Sequence, residues 1–242
     1  MTRTRLAVSV AFGGLFVALM ALLLPRQLEL RWTMPHAFSV ACVMIPVLGM
    51  VALGRRDVLS ALGLTRFDGR GCAVAALGSL AMLAGLAMGA PGAPVVDVGG
   101  VFDGAVKPAL TEELLFRGFA FGVLFRIARW RFPAAMLTTG AIFGSFHLPS
   151  AILGGHLDQA WGAAVLTGVG GCWFAWLYAR WSFSLWVPIT AHLAMNLWWS
   201  LYTAGPTAVG GGPGATWGRV ATIAIITIAT VKMTDVDVEP SS

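Results

Sequence analysis

Thr111-Glu112-Glu113-Leu114-Leu115-Phe116-Arg117-Gly118 is the stretch on which the reading of this chain turns. Two adjacent carboxylates and an arginine, four residues past the second, interrupt a segment that is otherwise strongly apolar. In hydrocarbon each such group costs about 2.5–3.5 kcal/mol on insertion scales. Three of them within six residues are too expensive to be kept for packing alone, so the stretch marks a functional site inside a membrane helix.

The composition agrees. Of 242 residues, 57% are hydrophobic and only 11% charged, with a mean hydropathy of +0.79. Soluble domains carry about 25% charged residues, and no polar region here is long enough to form one. The chain therefore reads as an all-α, polytopic integral membrane protein. The net charge of +5 would suit a nucleic-acid partner, but the basic residues sit in short loops between apolar runs. Membrane orientation accounts for that pattern, and no nucleic-acid partner is expected. Cys42, Cys72 and Cys172 lie in or beside apolar runs without close spacing, which suits packing residues rather than a disulfide framework or metal cluster. The N-terminal run follows Arg3 and Arg5 as in a signal peptide. Its length, and the absence of a small-residue cleavage site at Leu24-Pro25-Arg26, predict a retained anchor.

About eight segments approach the roughly 20 apolar residues that a helical crossing needs. They run over 6–24, 32–53, 71–90, 105–126, 133–147, 161–179, 185–202 and 215–231. They divide into an N-terminal three-helix region (1–104), a core carrying the polar motifs (105–203) and a last helix with a short acidic tail (204–242), all within one membrane domain. With the N-terminus inside, the inner segments hold eleven Lys and Arg residues and the outer segments four: Arg26, Arg31, Lys107 and Arg219. That asymmetry predicts a multi-pass protein of the cell membrane with both termini cytoplasmic. It also brings Glu112, His147 and His192/Asn196, from three separate helices, to a similar depth in the outer half of the bilayer.

Three pairs carry the chemistry. Glu113 and Arg117 are four apart and share a helix face, as an ion pair would. Glu112 points about 100° away and is left free for another task. Phe143 and His147 form a second pair at the same spacing, and His192 and Asn196 a third. Histidine relays protons, and an asparagine amide can donate to a developing oxyanion. A carboxylate, two imidazoles and an amide suffice for adding water to a peptide carbonyl. Gly118-x-x-x-Gly122 and Gly140-x-x-x-Gly144 have the spacing that lets membrane helices approach closely.

In this order on separate helices, Glu112-Glu113-x-x-x-Arg117, Phe143-x-x-x-His147 and His192-x-x-x-Asn196 resemble the CPBP family. Its members are the CAAX-protease and bacteriocin-processing membrane peptidases, also called Abi proteins. The resemblance spans about residues 107–201. It implies an intramembrane endopeptidase acting on a membrane-associated protein or peptide. Glu112 with His147 would activate water, and His192 with Asn196 would stabilise the oxyanion. Glu113, Arg117 and Phe143 would support the site, and no cofactor is expected. Two other readings stand beside this one. Glu112, His147 and His192 could supply a His₂Glu zinc set, although no HExxH motif accompanies them. Intramembrane charges also line ion and proton pathways, so a non-enzymatic immunity factor, chaperone or transporter has the same raw material.

Overall fold

Capping residues and glycines cut the apolar chain into helices. The computed structural model describes residues 37–89, 93–148, 155–205 and 207–234, and every regular element among them is helical. In chain order these are α1 (Ala37–Ala52), α2 (Val58–Leu62), α3 (Gly69–Gly89), α4 (98–127), α5 (Phe132–Ser145), α6 (Leu157–Arg180), α7 (Trp186–Leu201) and α8 (Gly212–Met233). The expected first crossing over 6–24, the retained anchor and the acidic tail lie outside the described residues. The short α2 falls in the polar connection before α3. Asp57 starts it by accepting from the Ser60 N–H, and Asp68 starts α3 by accepting from the Gly71 N–H. Gly63 ends α2 at φ +84°; a Cβ there would lie 2.4 Å from the Phe183 carbonyl oxygen. Both the backbone angle and the close approach require glycine.

Three helices, α3, α6 and α8, are long and apolar enough to cross a bilayer. The expected tally of about eight is finer than this. Helices α5 and α7 have 14 and 16 residues, which at 1.5 Å per residue is about 21 and 24 Å, against a hydrocarbon core of about 30 Å. Helix α1 is apolar over Ser39–Ala52 and is also short.

The core forms around α4, where every residue from 113 to 125 is buried. A helix that is apolar on all sides must be enclosed, and α1, α2, α5, α6 and α7 enclose it. Its winding departs from the regular α-helix expected. Phe102–Val106, Leu114–Phe121 and Val123–Ile127 are wound as π-helix, with Lys107–Glu113 in α form between the first two and Gly122 between the last two. The wider turns show in five-residue bonds such as Gly122 N–H to Arg117 O. Such turns occur often at functional sites.

Small residues set the other close contacts. Gly140 and Gly144 of α5 lie against α6, where a Cβ on Gly144 would come within 2.3 Å of the Ala164 carbonyl oxygen. Gly118 and Gly122 behave differently. Gly118 faces the Leu62 carbonyl, whereas Gly122 meets only its own helix. A pair that sequence reading passed over, Gly85-x-x-x-Gly89 on α3, faces Gly214-x-x-x-Gly218 on α8, backbone against backbone. These contacts leave the connections in two groups at opposite ends. Arg66 donates to Ser182 O, Arg126 to Ala61 O and Arg180 to Thr234 O at one end. At the other, Val95 N–H donates to Leu201 O and Thr207 to Gln159.

Candidate active site

The α-helical turn between two π segments presents Glu112 and Glu113 on different sides. Arg117 Nη1 donates to Glu113 Oε1 at 2.9 Å, so the two residues that share a helix face do pair. Both are buried, Glu113 completely and Arg117 at 1% exposure. An ion pair this deep offsets its desolvation only with further hydrogen bonds, and two more are present. Arg117 Nη2 donates to Gly171 O of α6 at 3.3 Å, and His192 Nδ1 of α7 lies 2.7 Å from the same Glu113 Oε1. Glu113 Oε2 is buried too and has no hydrogen-bond partner among the described residues.

Aromatic faces complete the enclosure. The Arg117 guanidinium sits 4.5 Å from the Phe143 ring centre and 5.0 Å from that of Phe174. At these distances the ring quadrupoles attract the cation. Phe174 also stacks on His192, with centroids 5.2 Å apart and planes at 19°. Four helices therefore meet at one buried group: α4 through Glu113 and Arg117, α5 through Phe143, α6 through Gly171 and Phe174, and α7 through His192.

The hydrogen bonds constrain the histidine protons. Glu113 Oε1 already accepts from Arg117, and a carboxylate oxygen has only lone pairs to offer His192. The proton of that bond is therefore on His192 Nδ1. His192 Nε2 is then an acceptor when the ring is neutral and a donor when it is protonated. Orienting an imidazole through a carboxylate on its far nitrogen is how hydrolytic sites fix a tautomer. His147 lies just past the end of α5, half-buried, with Nδ1 3.0 Å from Phe143 O. The acceptor is a carbonyl, so Nδ1 again carries the proton and Nε2 is the lone-pair nitrogen of the neutral ring.

Glu113 is more than the helix-face support that sequence spacing suggested, since it ties α4 to α7. Glu112 and Asn196 are half-buried, and neither side chain makes a hydrogen bond or ion pair among the described residues. Glu112 is within electrostatic reach of Arg117 and of the Cys42 thiol on α1. It takes no hydrogen bond from either histidine. The zinc set of Glu112, His147 and His192 does not fit the arrangement: no three His, Cys, Asp or Glu side chains are gathered to hold a metal among the described residues. Gly171 and Phe174 had no sequence signal. They are apolar positions on an apolar helix, three apart, and only the buried arginine beside them gives them a role.

A buried Glu–Arg–His network among apolar helices, three of them of membrane-crossing length, defines a helical integral membrane protein with a polar site in its interior. Residues 96–198, which carry all three motifs, match a family described as Type II CAAX prenyl endopeptidase Rce1-like, so this part of the chain is similar to that family of membrane endopeptidases. No curated protein and no solved structure matches it.

Proposed function

We propose that this protein hydrolyses a peptide bond of a membrane-associated protein within the bilayer, using water activated by Glu112 and His147. The observation that carries the reading is the 2.7 Å bond between Glu113 and His192. It joins the helix of the Glu112-Glu113-x-x-x-Arg117 motif to that of His192-x-x-x-Asn196, so the two motifs share one buried centre. On this reading Glu113 and Arg117 hold His192, and the unpaired Glu112 is available to accept a proton.

The reaction is an addition followed by an elimination. A water held by Glu112 and by His147 Nε2 gives a proton to the carboxylate as its oxygen bonds to the carbonyl carbon. The charge that develops on the carbonyl oxygen is met by the Asn196 amide and by His192. The proton then passes to the amide nitrogen as the C–N bond breaks, releasing an amine and a carboxylic acid. We further propose about eight crossings with both termini cytoplasmic, from the eleven-to-four distribution of basic residues. That orientation opens the site toward the outer half of the bilayer.

Purified protein in vesicles, given membrane-tethered peptides, tests the chemistry. Glu112→Ala and His147→Ala should each lower kcat at least about 100-fold, as expected for loss of a general base or its partner. Cleavage at wild-type rate by either variant would overturn the assignment.

A further inference from the structure

The end of the bundle built on the 54–70 connection carries three arginines, Arg55, Arg56 and Arg70, that neither the fold nor the chemistry above uses. Among the described residues, nine basic side chains at this end face only two acidic ones, a surplus of seven. Both acids are committed, since Asp57 and Asp68 cap α2 and α3. Arg55, Arg56 and Arg70 are exposed, and their guanidinium groups make no hydrogen bond or ion pair among the described residues.

Two apolar side chains stand among these arginines. Leu59 is 56% exposed and Phe67 71% exposed. The connection that holds them is braced from behind. Trp186 Nε1 donates to Leu64 O at 2.8 Å, Tyr178 OH to Leu62 O at 3.2 Å and Arg66 to Ser182 O at 3.1 Å. The Phe67 ring meets Trp186 edge-on at 6.5 Å. The exposure of Phe67 and Leu59 thus belongs to a fixed shelf beside the ends of two apolar helices.

We infer that this shelf binds the anionic headgroup layer of the surrounding leaflet and concentrates acidic phospholipids around the protein. The charge fits lipid phosphates, which attract basic segments near a membrane surface. The outward Phe67 and Leu59 fit the headgroup–acyl boundary, where amphipathic elements bury apolar side chains. A soluble polyanion without apolar groups would match the arginines and leave both apolar groups in water.

Retained lipid reads the proposal directly. The full chain is reconstituted in phosphatidylcholine discs with a minor fraction of phosphatidylglycerol, re-extracted in neutral detergent, and its co-purifying lipid weighed by mass spectrometry. Wild-type protein should retain phosphatidylglycerol at least about threefold above its bulk share at low salt, declining as salt screens the charges. Arg55→Gln/Arg56→Gln/Arg70→Gln should fall to the bulk ratio with an unchanged unfolding temperature, and Phe67→Ser should fall part of the way. Retention at the bulk ratio by wild type, enrichment insensitive to salt, or enrichment surviving in the triple variant would each overturn it. So would enrichment that appears only after residues 235–242 are removed, because the shelf would then belong to that acidic segment.

Discussion

A carboxylate oxygen shared between a guanidinium and an imidazole cannot lose its charge without stranding both partners. Glu113→Gln leaves Arg117 buried with its charge uncompensated, which costs about 3–5 kcal/mol where one member of a buried pair is removed. Adding Arg117→Met should recover much of that loss, because the double variant buries no lone charge. Chemical unfolding in detergent of the two single variants and the double variant checks this. Strict additivity would mean the pair is not coupled. Glu112→Gln, by contrast, removes no hydrogen bond or ion pair and should stay within about 0.5 kcal/mol of wild type. The difference separates a residue that holds the site from one available for chemistry. The sequence made the Glu113–Arg117 contact legible, since four residues on a helix fix the geometry. The bond to His192 spans 79 positions and depends on how α7 lies against α4, which no local spacing encodes. Gly171 and Phe174 were illegible for the same reason.

Helix contacts show where spacing ceases to inform. Gly140 and Gly144 do bring α5 onto α6, yet of the similar pair Gly118 and Gly122 on α4 only Gly118 meets another helix, at the Leu62 carbonyl of α2. Gly85 and Gly89, equally visible, make the close contact with α8. A small-residue repeat creates a groove, and only the opposing surface decides whether it is filled. The π winding of α4 is hidden for a related reason. A run buried on every side has no polar stripe whose period could be read. Gly144→Ala places a methyl 2.3 Å from a backbone oxygen that cannot swing aside. It should destabilise by about 1–3 kcal/mol and lower cleavage, because α5 also carries Phe143 against Arg117. Gly170→Ala on α6, with open space at its Cβ, should match wild type or gain up to about 1 kcal/mol from helix propensity. Equal effects of the two substitutions on unfolding would show that α5–α6 contact does not limit stability.

At the level of the whole chain, composition was enough to establish a helical membrane protein, because 11% charge cannot solvate a globule of this length. The number of crossings was less legible: α5 and α7 are short apolar helices, and hydropathy alone does not distinguish a full span from a helix held inside a bundle. The loops themselves sort cleanly. Those containing Arg66, Arg126 and Arg180 meet at one end, and those containing Val95 and Thr207 at the other. Combined with the surplus of basic residues at the first end, this sorting predicts sidedness. In a chain with Cys42, Cys72 and Cys172 replaced by alanine, Thr65→Cys and Val95→Cys each supply one exposed thiol at opposite ends. A membrane-impermeant maleimide should label position 95 in intact cells and position 65 only after the membrane is opened. The reverse pattern would invert the orientation and put the buried site in the inner half of the bilayer. Labelling of both positions in intact cells would mean that the two ends do not lie on opposite sides of the membrane, and the intramembrane placement of Glu112 would fall with it.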